Sequence, residues 1–569
     1  MSEMSAQGNW GAEIGSSDGA GRNQAWRGAG TMAPPDENRW LALVVIAIAQ
    51  LMIVLDATIM NIALPSAQRS LNFSIVDRQW VVTAYALAFG SLLLLGGKLA
   101  DLLGRKAVFL TGLVGFAAAS AVGGAANSFT MLISARATQG AFAALLAPSA
   151  LSLLATAFTD PGERRRAFGV YGAVAGAGGA VGLLLGGVLT QYLSWRWCLY
   201  VNLVFAGVAS LGALAFLRRD GERGHTRLDL PGAVLVSGGM FSIVYGFSNA
   251  ANHSWHTPST WGFLAAGAVV LAAFVLWQSR AEHPLLPLRI FADRNRAGAY
   301  VSMLIAGAGL FGVMLFLNYY MQQNLHFSPV KTGLAFLPMV GATMVFTNLA
   351  NVGLMPRTGP RPLVAMGMLL AGAGGALLTG LAAHSSYASG ILPSVLLVGA
   401  GLGFIYAPVA DTGTAGVPWS DTGVASATIN TGGQLGGSIG TSLLNTIFAS
   451  AITTYVAAHT LAHRGPAWHV ATLAGLHGYT TTFWWTTGIF LLGAIIAGVL
   501  MRSGPLARPS QEAWEGAPQQ AAGGAGGAGA WQPLEGSWQP VPQVNGQSPA
   551  PVAALTGGSP GAPARGSHD

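Results

Sequence analysis

Long apolar stretches, cut at intervals by short charged segments, set the pattern of this chain. Eleven intervals contain no Asp, Glu, Lys or Arg: 79–97, 107–135, 137–159, 167–195, 197–217, 230–279, 297–330, 332–356, 362–410, 422–463 and 465–501. A helix crosses the hydrocarbon core of a bilayer with about 20 apolar residues, so most of these intervals predict one crossing. The two longest, 230–279 and 362–410, predict two apiece, with polar breaks at Asn249–Ser259 and His384-Ser385-Ser386. Trp40–Ala63, interrupted only by Asp56, adds another. The result is fourteen spans, centred near 50, 89, 117, 145, 177, 207, 240, 269, 309, 343, 372, 400, 436 and 492. The segments are too long, and alternate too little, to be strands of a membrane barrel.

Composition agrees. Of 569 residues only 9% are charged, against about 25% in a typical soluble chain, while 52% are apolar and 79 are Gly. So few charges cannot clothe several soluble domains, and the chain reads as an all-α polytopic membrane protein. The single Cys198 excludes an internal disulfide and a cysteine metal cluster. A net charge of +7 would suit a nucleic-acid ligand, but the bases fall in a topological pattern instead. With the N-terminus inside, twenty-two Lys and Arg lie in inner loops and tails. Only five (Arg69, Arg78, Arg196, Lys331 and Arg464) lie outside, and Arg136 lies within a span. That asymmetry predicts cytoplasmic termini in a multi-pass protein of the cell membrane, with no nucleic-acid partner. Residues 1–39 and 503–569 read as disordered cytoplasmic tails without a cleaved signal peptide.

The spans repeat. Leu71-Asn72-Phe73-Ser74 before span 2 matches Leu325-His326-Phe327-Ser328 before span 10; Gly104 matches Gly359; Ala147-Pro148 matches Ala407-Pro408. Nearly constant offsets pair spans 1–6 (residues 40–217) with spans 9–14 (297–502) and leave spans 7–8 (229–280) as an insert. Two parallel six-helix halves around a central site suit an alternating-access carrier.

Four motifs carry a family resemblance. Leu55-Asp56-Ala57-Thr58-Ile59-Met60-Asn61-Ile62-Ala63-Leu64-Pro65 in span 1 is similar to the first-span signature of the fourteen-span drug:proton antiporters of the major facilitator superfamily. Gly97 through Lys106 resembles that superfamily's loop 2–3 motif, and Arg136 through Gly140 its fourth-span motif. Gly178 through Gly187, followed by Ser194-Trp195-Arg196-Trp197 and Asn202, resembles the fifth-span antiporter motif. The resemblance covers residues 40–502 and implies the major facilitator fold and proton-driven export of lipophilic drugs. It implies a conformational latch from Gly97, Asp101, Gly104 and Arg105; the alternative is that Arg105 and Lys106 are topology determinants alone. Leu102 stands where the family has a base, and Pro356 replaces the acid in the second half. Gly178, Gly182 and Gly186, with Gly179 and Gly187 nearby, predict close backbone packing and a hinge between the halves, though Leu183 occupies the family's proline position.

Asp56 and Arg136 are the charges well inside predicted spans, about 24 Å from the inner edge and about 9 Å from the outer edge respectively. Their depths therefore agree. A buried charge of this kind marks function or an ion pair. One reading makes Asp56 the protonatable group, with Arg136 and Gln139 regulating it, so that proton and substrate compete for one carboxylate. The other is a permanent pair that only fixes packing. Cavity candidates are Met52, Met60, Tyr319, Tyr320, Asn348, Asn351, Asn430 and Gln434. His459, His463, His469 and His477 read as solvated histidines of an outer loop, and no metal site is expected. No phosphate-binding loop or paired intramembrane carboxylates occur, so neither ATP drive nor enzyme chemistry is expected. The chain is expected to act as a monomer without a cofactor, on a lipophilic small molecule and protons in the bilayer. The alternative is a dedicated exporter or uptake carrier for one metabolite or antibiotic.

Overall fold

The computed structural model describes residues 38–158, 160–217, 229–253, 255–418, 421–461 and 467–504. Most of both tails therefore lies outside the described residues. Among the described residues fourteen helices are long and apolar enough to cross a membrane. They are α1 (Arg39–Leu71), α2 (Gln79–Leu103), α3 (Arg105–Gly124), α4 (Phe129–Ala157), α5 (Pro161–Tyr192), α6 (Trp197–Phe216), α7 (Leu230–His253) and α8 (Pro258–Gln278). Then come α9 (Arg294–Tyr319), α10 (Pro329–Asn348), α11 (Pro360–Leu378), α12 (Leu392–Thr414), α13 (Thr422–Leu461) and α14 (Ala467–Leu500). No strand occurs among the described residues.

Local chemistry sets the boundaries. Ser128, Asp160, Asp293 and Ser328 each accept a hydrogen bond from a backbone N–H three residues on, satisfying first-turn donors. Pro161, Pro258, Pro329 and Pro360 stand in first turns, where a missing N–H costs nothing. Lys106 Nζ donates to the carbonyls of Leu214 (3.2 Å) and Leu217, capping the last turn of α6.

The duplication read from sequence is present in the backbone. Asn72 (φ 54°) and His326 (φ 52°) have positive φ at corresponding turns, and Gly104 (φ 96°) and Gly359 (φ 75°) do one loop later. Helix packing repeats as well: α2 and α3 pack on α4 as α10 and α11 pack on α12, and α1 packs on α5 and α6 as α9 packs on α13 and α14. The halves meet mainly along two seams, α2–α13 and α5–α10, with smaller contacts of α1 on α9 and α10. The α7–α8 hairpin lies against the first seam, where Val244 packs between Leu87 of α2 and Leu435 of α13. Gln79 Nε2 and Trp80 Nε1 donate to Ser248 Oγ at 3.0 and 2.9 Å, and Thr446 Oγ1 donates to the Phe247 carbonyl at 2.7 Å.

Asp229 ties the hairpin's two ends together. It accepts from the Gly232 N–H (2.8 Å), Trp277 Nε1 (2.7 Å) and Gln278 Nε2 (2.6 Å). Burial opposes its ionisation, but these donors prevail and hold the carboxyl below its usual value. A depressed folded value means the stabilisation is full above about pH 4 and is lost as pH falls through that value. Asp229→Ala is therefore expected to lower the melting temperature at neutral pH and to converge with the parent on acidification. A melting difference that persisted unchanged in acid would contradict this.

Candidate functional site

The end of the bundle where α1 begins and α14 finishes is called the near end here, and the opposite one the far end. Asp56 lies midway along α1 and is wholly buried, as is Arg136 of α4. Arg136 Nη1 donates to Asp56 Oδ2 at 2.6 Å, while Gln139 Nε2 (3.1 Å) and Asn202 Nδ2 of α6 (2.7 Å) donate to Oδ1. Both oxygens thus accept from donors, an arrangement built for a carboxylate. Around this core, Arg136 Nη1 also donates to Gln139 Oε1 at 3.1 Å, Arg136 Nε to the Val81 carbonyl at 3.1 Å, and Gln139 Nε2 to Ser120 Oγ at 2.7 Å. Arg136 and Gln139 share a face because they are three residues apart on a helix.

Gly140 makes the approach possible. A Cβ there would sit 2.3 Å from the Tyr85 carbonyl oxygen of α2, so only Gly lets α4 bring Arg136 to Val81 and to 4.4 Å from the Tyr85 ring centre. Among the described residues every partner of Asp56 belongs to the first six helices, and its carboxylate is closed to solvent. In this conformation the protein's own donors, and not solvent, face the Asp56 carboxylate.

The far end is shut by hydrogen bonds between the halves. Asn318 Nδ2 donates to the Asn61 carbonyl at 2.6 Å, Gln322 Nε2 to the Ile62 carbonyl at 3.0 Å, and Tyr319 OH to Gln68 Oε1 at 2.7 Å. Asn445 Nδ2 donates to the Val76 carbonyl at 3.0 Å, and the Val330 N–H to Gln191 Oε1 at 3.3 Å. Asn61, Ile62 and Gln68 lie on α1, the helix that carries Asp56. A Cβ on Gly176 would be 3.5 Å from Met344 Cε, but Gly172 and Gly169 face no atom within 4 Å.

Several expected sites are placed differently. Gly178, Gly182 and Gly186 form one stripe, but it packs on Val54, Thr58 and Ile59 of α1 within the same half, so it is no hinge between halves. Gly187 faces the other way, onto the Pro329–Val330 backbone of α10, and Gly179 faces open space. In the loop motif the close approach belongs to Gly96, whose Cβ would fall 1.9 Å from the Ala144 carbonyl oxygen; Gly97 has room. Gly104 supplies the left-handed turn. Asp101 reaches Arg105, 3.9 Å away on the same segment, with both partly exposed.

Of the cavity candidates, Met52 and Met60 are fully packed, and buried Tyr319 and Tyr320 belong to the far end. Asn348 and Asn351 are exposed on the α10 side, Asn430 is exposed on α13, and Gln434 is half-buried beside Gly90. His459 and His477 lie on α13 and α14 rather than in a loop, and stack about Tyr455 with ring centres 3.8 and 5.2 Å away. His463, and the side chain of His469, lie outside the described residues. Sequence reasoning missed Ser120, Val81 and Arg78, and noted Asn202 only within a motif. A polar Asn among the apolar residues of span 6 was the one available signal.

Comparison with known proteins agrees with this architecture. The sequence profile of the Major Facilitator Superfamily matches residues 46–441. The puromycin resistance protein pur8 of Streptomyces alboniger is 48% identical over 82% of this chain and 92% of that protein. The cephamycin export protein CmcT of Amycolatopsis lactamdurans is 40% identical over 72% of this chain and 85% of that protein. Among solved structures, a bacterial homologue of the human lysosomal transporter Spinster superposes with a TM-score of 0.58 at 15% identity, covering 83% of this chain and 98% of that one. The chain belongs to the major facilitator superfamily.

Proposed function

We propose that this protein is a proton-coupled carrier that exports lipophilic antibiotics or drugs by alternating access, with Asp56 as the protonatable group. The observation that carries this reading is the buried Asp56, held with Arg136, Gln139 and Asn202 on the helix that also supplies three far-end contacts. The names of the relatives, a resistance protein and an export protein, support the substrate class. The distribution of bases supports a cytoplasmic near end.

In the far-shut conformation Asp56 is arranged as a carboxylate, the form left after a proton has departed. Protonation removes the charge that holds Arg136, Gln139 and Asn202, and α1 transmits the change from Asp56 to Asn61, Ile62 and Gln68. Proton and substrate are then coupled through the position of α1 rather than through one shared contact. One proton moving down about 100 mV and one pH unit supplies about 3.7 kcal/mol, enough for about a 500-fold gradient of a neutral solute.

Everted vesicles carrying the protein, given an acidic lumen, are expected to accumulate puromycin or ethidium, and to lose the accumulated solute when a protonophore collapses the gradient. Accumulation indifferent to the gradient would refute proton coupling while leaving the carrier fold intact.

A further inference from the structure

We propose that an aromatic cage on the second half is a cation-binding site, occupied in the far-shut state by Arg78 of the first half, and that this occupancy latches the far end. Arg78 precedes α2 at the far end and is buried. Its guanidinium carbon lies 4.0 Å from the ring centre of Tyr319, 4.7 Å from Phe448 and 5.3 Å from Phe316, all within the reach of cation–π attraction, about 6 Å. Arg78 Nε donates to Asn445 Oδ1 at 3.2 Å. Tyr479 of α14 backs the cage, 5.0 Å from Phe448 between ring centres.

What the site lacks is an acid. Among the described residues no carboxylate lies within ion-pair distance of Arg78, whereas Arg136 has Asp56. Among the described residues Arg78 Nη2, which is buried, has no hydrogen-bond partner. Withdrawing a cation from water in this way is costly unless the rings compensate. The contact also exists only while the halves are together, because cation and cage come from opposite sides of the seam. When the far end parts, Arg78 regains its hydration, and that gain offsets the loss of the rings. A latch balanced in this way releases readily, because no opposite charge has to be left behind when the cation departs. The vacated cage then presents three π-faces and an amide oxygen to far-side water, a surface suited to a guanidinium or another organic cation. This inference requires only alternating access and stands whether or not Asp56 carries the proton.

The test uses the full chain in proteoliposomes, with Cys198→Ser removing the one native thiol. Ser442→Cys serves as reporter: Ser442 is fully buried on α13, one turn before Asn445. A membrane-impermeant maleimide is applied at the far face. Arg78→Ala is expected to speed labelling about 10-fold, and guanidinium ion, but not sodium at equal ionic strength, to restore protection. Adding Phe448→Leu is expected to abolish that rescue. Arg78→Gln keeps a donor for Asn445 without the charge and is expected to label as fast as Arg78→Ala. It also serves if Arg78→Ala fails to elute as a single species. Labelling of either variant at the parent's rate would overturn the latch. Fast labelling that guanidinium cannot reverse, or reverses equally well with Phe448→Leu, would overturn the cation site.

Discussion

Asp56→Asn is expected to collapse gradient-driven accumulation from as much as about 500-fold to about 1. The amide cannot exchange a proton, so no part of the electrochemical gradient reaches the substrate. Asparagine also leaves Arg136 buried without its counter-ion, a defect that costs about 3–5 kcal/mol in comparable sites. Loss of activity alone would therefore not separate coupling from misfolding. The double variant Asp56→Asn/Arg136→Gln separates them. With both charges gone it is expected to recover most of the lost stability, read as melting temperature in detergent, while accumulation stays near 1. A stable double variant that still concentrated substrate against a pH gradient would show that the pair serves packing alone.

Gly187→Val is expected to produce the second large effect, a protein that no longer shuts its far end. A Cβ at Gly187 would stand 2.8 Å from the Pro329 carbonyl oxygen and 2.8 Å from Val330 Cα. Both are backbone atoms of the opposite half and cannot turn aside. Overpacking costs about 1–3 kcal/mol, and here the far-shut state alone bears it, so the balance between conformations shifts about 5- to 150-fold. Far-side labelling of a gate cysteine should rise and transport should fall. Gly179→Val, on the same helix but facing open space, is the control and should behave as the parent. Equal labelling of both variants would show that the α5–α10 seam does not have to close.

The architecture is largely legible in the sequence because charges are so scarce that each interval between them is a span. The pairing of Asp56 with Arg136 is legible too, since two costly charges at matching depth have few other places to go. Orientation within a helix is harder to read. Gly96 and Gly97 are adjacent, and no pattern states which of them meets α4. Gly186 and Gly187 pose the same problem, and there the one-residue rotation of about 100° separates an internal contact from the seam. Arg78 reads as one more outer-loop base because its cage comes from residues more than two hundred positions away. His459 reads as loop when span lengths are cut to the bilayer, whereas α13 runs for 40 residues, about 60 Å, and carries that residue beyond it.

The hairpin lying against only one seam has a mechanical consequence. Since α7 grips both α2 and α13, that edge is expected to behave like the spine of a book. The covers at α5 and α10 have no such binding. The sweep of each transport cycle should therefore be lopsided, largest where the pages are free.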